Sequence, residues 1–185
     1  MAHIERERPV IVDPMHARSL YAQEKLMAET MLNYYRSIGA IKSLCIFRPF
    51  NVSGKWQKRG VIYEMVKSAV NSGVIEYAEE QTREVTFVQD ATRQALDAIL
   101  HHIEGTFDMT SKMHVALEDL AFCVKAALVK LDAKYSTLVV KPMANPSQYI
   151  KTRGTVSLLD SREELDRFTE LLIDNKTVED IAMAL

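Results

Sequence analysis

The apolar positions along the chain switch repeatedly between a helical and a strand period. Leu20, Met27, Met31, Tyr34 and Ile38 recur at spacings of three, four and seven, which sets one stripe of a helix over 17–38, with Gly39 as its stop. "IKSLCIF" (41–47) is a short apolar run that predicts a buried strand. "RPFNVSGKWQKRG" (48–60), punctuated by Pro49, Asn51, Gly54 and Gly60, predicts a loop. A helix follows over 61–72, closed by Gly73. "REVTFV" (83–88) alternates as a strand does, and Asp90 is placed to cap a helix over 91–102. "GTFDMTS" (105–111) predicts a short strand, "ALEDLAFCVKAALVKL" (116–131) an amphipathic helix, and "STLVVK" (136–141) a strand ended by Pro142. Two more helices are predicted over 162–173 and 178–184. For the second, Thr177 is the expected N-cap, with Asp180 standing in for the Glu or Gln of a capping box. Residues 1–16, with Pro9 and Pro14, predict an extended arm, and 144–156 predict irregular chain.

Alternating helices and strands make the class α/β with parallel pairing. Bulk properties change this picture little. A length of 185 residues with 48% hydrophobic and 26% charged positions suits one soluble domain or a large piece of one. A net charge of -2 and a pI near 6.2 give no basic surface, so no nucleic-acid partner is expected. No apolar run approaches ~18 residues, so no membrane span is expected, and the N-terminus lacks the apolar core of a secretory signal. The expected location is cytoplasmic. Cys45 and Cys123 sit in apolar settings and predict buried free thiols. His101 and His102 close a helix, His16 reads as a loop residue, and no metal-ligand spacing occurs. The nine methionines predict core or interface filling. Trp56 reads either as a packing residue or as a platform for a base or sugar.

Chemistry enters with "YAQEK". Tyr21 and Lys25 stand one helical turn apart and share a face. A phenol, with a reference pKa of about 10, is too weakly acidic to act as a base at neutral pH, and an adjacent ammonium stabilises its phenolate. A phenol so assisted takes a proton from a substrate hydroxyl and returns one to a carbonyl. The spacing alone is weak, because "YEMVK" repeats it with Tyr63 and Lys67. A surface cation–aromatic contact explains either pair equally well.

Order along the chain separates the two pairs. "YAQEK" is followed by a buried strand, then "RPFNVSG", then "REVTFVQD". This set resembles the extended short-chain dehydrogenase/reductases, the NAD-dependent nucleotide-sugar epimerases, dehydratases and decarboxylases, over roughly residues 9–130. The resemblance implies an α/β fold: the C-terminal part of a Rossmann-like fold, with an incomplete parallel sheet and a small substrate-binding lobe. On this reading 1–185 is a single incomplete unit. Residues 1–60 hold the catalytic helix and a Rossmann-side strand, and 61–185 hold the substrate lobe interleaved with late Rossmann-side elements. The resemblance makes Tyr21 the acid/base and Lys25 the residue that assists it and meets the nicotinamide ribose. It puts Pro49 and Phe50 at the nicotinamide end of an NAD or NADP site. Asn51 and Arg83 become the ligands of a substrate diphosphate, suited to it as amide donor and guanidinium. Asp90 remains a structural cap, and the family's late diphosphate-binding arginine has a loose counterpart in Arg153.

The sequence also departs from the family. Its six glycines are dispersed and form no GxGxxG or GxxGxxG turn, and Ser19 is too close to Tyr21 to stand for the family's upstream serine. Ser53 and Lys55 replace residues that are commonly aromatic and proline, and the Asn51–Arg83 interval is short. An incomplete sheet implies an open edge and an apolar face, covered by an N-terminal glycine-rich half, a homo-oligomer or a larger assembly. Two functions follow. One is the catalytic-tyrosine and substrate-binding part of a nucleotide-sugar epimerase or dehydratase. The other is a non-catalytic structural or interaction subunit of the same fold.

Overall fold

The computed structural model describes residues 20–111, 113–144, 159 and 161–185. The expected arm over 1–16, His16, Ser19, Arg153 and the irregular stretch 145–156 lie outside them.

The elements run α1 (Leu20–Ser37), β1 (Cys45–Pro49), β2 (Val52–Ser53), α2 (Val61–Ser72), β3 (Val74–Tyr77), β4 (Thr82–Glu84), β5 (Thr86–Phe87) and α3 (Val88–Leu100), then β6 (Gly105–Met109), β7 (His114–Ala116), α4 (Leu117–Leu131), β8 (Val139–Pro142), α5 (Arg162–Asp174) and α6 (Thr177–Ala184). Strands pair in twos. β1–β6, β2–β5 and β3–β8 are parallel, as an α/β chain requires, and β4–β7 is antiparallel.

The described residues divide into two compact units, one within 1–49 and 92–109, the other within 50–91 and 110–185. In the first, β1 and β6 run in register from Cys45↔Gly105 to Pro49↔Met109, and the Phe47 and Phe107 rings lie 6.2 Å apart. Helix α1 buries no residue, so its apolar stripe of Leu20, Met27, Met31, Tyr34 and Ile38 faces solvent. Two ion pairs hold α1 to its own unit: Arg36 with Glu104, and Arg48 of β1 with Glu29.

The second unit holds the main core. Ile62, Met65, Val66 and Ala69 of α2 recur at helical spacing and face Leu120, Val124, Ala127 and Leu128 of α4, with Ile75 of β3 and Val115 of β7. α5 and α6 add Phe168, Leu172, Val178 and Ile181 to the same cluster. α2 occupies the span its periodicity predicts. It stops at Gly73, whose left-handed φ of 71° lets its N–H bond Ala69 O. A Cβ at Gly73 would meet no atom within 4 Å, so only the backbone conformation opposes a side chain there. Gly73→Ala is therefore expected to destabilise the protein by about 1–2 kcal/mol, read from urea or thermal unfolding.

Several expectations need correction. "REVTFV" is two strands: β4 pairs with β7 and β5 with β2, and Val85 between them donates its N–H to Met113 O. The chain thereby passes from one partner to another within six residues, and α3 starts at Val88. Asp90 thus lies in the first turn of α3, favourable to the helix dipole, and is not its N-cap. β3 and β7 lie where no strand is predicted, and β2 lies inside the predicted loop. Residues Ala133–Thr137, expected in part as strand, form a 3-10 turn capped by Asp132, so β8 begins later. Thr177 is the first residue of α6, its N-cap being Lys176, and the Thr177 hydroxyl is buried without a hydrogen-bond partner. The capping box belongs instead to Ser161 and Glu164 of α5. Cys123 is buried but Cys45 is only half-buried; both thiols are free, and burial pushes both up from the ordinary thiol value.

Candidate functional site

Tyr21 and Lys25 are brought together on α1. The lysine Nζ lies 5.5 Å from the phenol ring centroid. The Tyr63–Lys67 pair of α2 has almost the same geometry, with Nζ at 5.8 Å, so local geometry does not separate the two. Packing does. The Tyr63 ring lies half-buried against the core cluster, whereas Tyr21 is 68% exposed. Lys25 is exposed too, and among the described residues no carboxylate pairs with it. Tyr21 is thus the more open of the two tyrosines.

The helix that carries this pair is fixed by a contact that spacing does not announce. Arg48 donates from Nε to Glu29 Oε1 (2.9 Å) and from a terminal nitrogen to Glu29 Oε2 (2.7 Å). The hydrogen bond to Glu29, above all, pushes the Arg48 guanidinium further up from its ordinary value. Glu29 follows Lys25 by one turn, and Arg48 immediately precedes Pro49. The fork therefore sets α1 against β1 within the first unit. The sequence signal was the Arg of "RPFN" facing an acid one turn beyond Lys25.

Pro49 ends β1, and Phe50 and Asn51 follow as exposed residues, Phe50 being 42% exposed. Asn51 has a φ of 37°, a left-handed conformation that asparagine tolerates better than most residues. Its carbonyl accepts the Thr86 N–H (3.4 Å) and the Ser53 hydroxyl (3.4 Å), which leaves the exposed side-chain amide for a ligand. Gly54 follows where α3 begins. A Cβ there would lie 2.4 Å from Val88 Cγ1, so only glycine admits this approach. Arg83 of β4 is half-buried rather than a fully solvent-exposed strand residue. Its guanidinium donates to Thr82 O (2.9 Å) and to Gln81 Oε1 (3.2 Å). Asn51 and Arg83 both belong to the second unit, and Asn51 is tied to Thr86, three residues beyond Arg83.

Trp56 is 77% exposed, with a φ of 62° and Lys55 Nζ at 4.8 Å from its ring centroid. The packing reading of this residue does not hold. Among the described residues no group of three His, Cys, Asp or Glu is placed to hold a metal ion, and no helix is long and apolar enough to cross a membrane.

A sequence model of the NAD dependent epimerase/dehydratase family matches residues 2–109, a stretch that includes Tyr21, Lys25, Asn51 and Arg83. No curated protein matches the chain by sequence. Solved structures match it in fold. One is a UDP-N-acetylglucosamine 4-epimerase from Methanobrevibacter ruminantium M1 in complex with UDP-N-acetylmuramic acid. It has 20% identity and a TM-score of 0.68, over 91% of this chain and 55% of that one. A second is an NAD dependent NDP-hexosamine 5,6-dehydratase involved in tunicamycin biosynthesis, with 16% identity and a TM-score of 0.60, over 88% of this chain and 56% of that one. A third is a UDP-glucuronic acid 4-epimerase from Bacillus cereus in complex with NAD, with 21% identity and a TM-score of 0.51, over 84% and 53%. The chain spans about half the length of these structures. The fold is thus part of that of the Rossmann-like extended short-chain dehydrogenase/reductases, and with the family match over more than half of its residues, the chain belongs to the NAD dependent epimerase/dehydratase family.

Proposed function

We propose that this chain supplies the catalytic tyrosine and the substrate-binding lobe of an NAD(P)-dependent nucleotide-sugar epimerase or dehydratase. The observation that carries the reading is the pairing of Tyr21 with Lys25 on an open face of α1, inside the span of the family match. Pro49 and Phe50, next along the chain before Asn51, are read as flanking the nicotinamide.

The residues fit part of a dinucleotide. An exposed phenol and an exposed ammonium one turn apart suit the hydroxyls of a nicotinamide ribose. The described residues contain no glycine-rich turn for the diphosphate, so the fit covers the nicotinamide end alone. The cofactor, when bound, supplies the hydride acceptor. Tyr21 Oη, as phenolate, takes the proton of the sugar hydroxyl whose carbon is oxidised, and Lys25 stabilises that anion before transfer. The Asn51 amide donates to a diphosphate oxygen, and Arg83 adds a charge-assisted bond. The exposed stripe of α1 is covered in the working enzyme by a dinucleotide-binding half, a second copy or a larger assembly.

Calorimetric titration with a UDP-sugar tests the substrate lobe. Asn51→Ala removes one hydrogen bond to a charged group, worth about 1.5–3 kcal/mol, so Kd is expected to rise roughly 10–150-fold, with a small fall in melting temperature because alanine tolerates the left-handed backbone at position 51 less well than asparagine. Unchanged affinity would refute the role of Asn51. Absence of any nucleotide-sugar binding would favour the non-catalytic subunit instead.

A further inference from the structure

We propose that the loop of residues 54–60 is a platform for the nucleoside diphosphate of the ligand. In this assignment Trp56 takes the base on its ring, and Lys55, Lys58 and Arg59 meet the phosphates. The inference rests on the substrate-lobe reading above and extends it to the nucleotide.

The loop "GKWQKRG" carries three cations and no acid. All three are exposed, and among the described residues none pairs with a carboxylate. Between them the indole of Trp56 is 77% exposed, a large apolar surface left in water. Its backbone is held left-handed at φ 62°, a conformation that persists in a bulky residue only where the surroundings impose it.

Those surroundings are visible. The Gln57 N–H donates to Gly54 O (3.3 Å), and its side-chain amide donates to Arg59 O (2.7 Å), closing the loop on itself. Gln57 Oε1 is left buried without a partner, a second unfavourable feature that the fold retains. At its stem the loop is fixed by the approach of Gly54 to Val88. The result is a loop closed by its own hydrogen bonds, with Trp56 facing solvent.

An exposed indole with Lys55 Nζ 4.8 Å from its ring centroid, among cations that no carboxylate of the described residues pairs with, suits a ligand with a flat ring and negative charge. Trp56 follows Asn51 by five residues, so the two lie within about 16–18 Å even along fully extended chain. Both belong to the same unit, which favours the substrate nucleotide over the dinucleotide cofactor. A chain of net charge -2 with one tryptophan offers no extended track for a nucleic acid.

Trp56 is the sole tryptophan of these 185 residues, so the intrinsic tryptophan fluorescence of this chain reports on it alone. Titration with UDP-N-acetylglucosamine, UDP, NAD and inorganic pyrophosphate separates the sources. Saturable quenching by UDP and UDP-N-acetylglucosamine is expected, with far less from pyrophosphate at calorimetric saturation. Trp56→Ala is expected to weaken UDP binding by about 5–150-fold and to leave pyrophosphate binding unchanged. Trp56→Phe, which keeps a ring, should recover most of the loss, and Arg59→Ala should weaken both ligands. If UDP binds in an Asn51-dependent manner while Trp56 emission and Trp56→Ala affinity stay unchanged, the loop assignment is overturned and the substrate lobe stands. Stronger quenching by NAD than by UDP overturns it in favour of the cofactor. If no nucleotide binds at all, the loop and the substrate-lobe reading fall together.

Discussion

Tyr21→Phe in the full-length protein is expected to lower kcat on a nucleotide sugar by about 10²–10⁴-fold, with KM for the sugar nucleotide little changed. The phenol hydroxyl is the only group lost, and in the proposed mechanism it acts on the proton in flight rather than on the diphosphate that supplies ground-state binding. Because Tyr21 lies open on a helix that buries none of its residues, the melting temperature should not move. Tyr63→Phe is the matched control. It removes the same atom from a tyrosine with the same lysine spacing, but one whose ring is packed on the core. Equal losses in the two variants, or none in Tyr21→Phe, would remove the tyrosine from the mechanism.

Phe168→Ala is expected to cost about 3–5 kcal/mol, out of a total stability of roughly 5–15 kcal/mol. The Phe168 and Phe87 rings lie 5.8 Å apart in tilted contact, and both are almost fully buried. Phe87 belongs to β5, whose partner β2 starts one residue after Asn51. A cavity at Phe168 therefore loosens the pair that holds the proposed diphosphate site, although α5 supplies no site residue. Nucleotide-sugar affinity should fall with the melting temperature, and Phe168→Leu, which keeps most of the volume, should restore both. A Phe168→Ala protein that melts as the parent does would mean that α5 does not carry the core as described.

The elements legible in the sequence are those whose signals are local. The span of α2 follows from Ile62, Met65, Val66 and Ala69 at helical spacing and from Gly73 behind them, and α4 follows in the same way. β7 and β2 were not legible. They have three and two residues, too few to show a period, and exist because a distant strand pairs with them. β3 did carry a signal, since Ile75 and Tyr77 alternate toward the core, but four residues behind a helix stop read as connection. The site shows the same limit. Two Tyr–Lys pairs share a spacing and nearly a distance; the order of motifs behind Tyr21 separates them in the sequence, whereas the lack of core packing around Tyr21 is not encoded in spacing. Trp56 stands exposed in a loop closed by hydrogen bonds of Gln57, a residue with no motif to mark it.

The most direct test of the central claim is conversion. The full-length protein is incubated with NAD and a UDP-hexose, and the sugar protons are followed by NMR. The expected result is a new set of sugar signals, from a changed hydroxyl configuration or from loss of water, that disappears in Tyr21→Phe. A UDP-hexose that binds but stays unchanged, or conversion at equal rate in Tyr21→Phe, would contradict it.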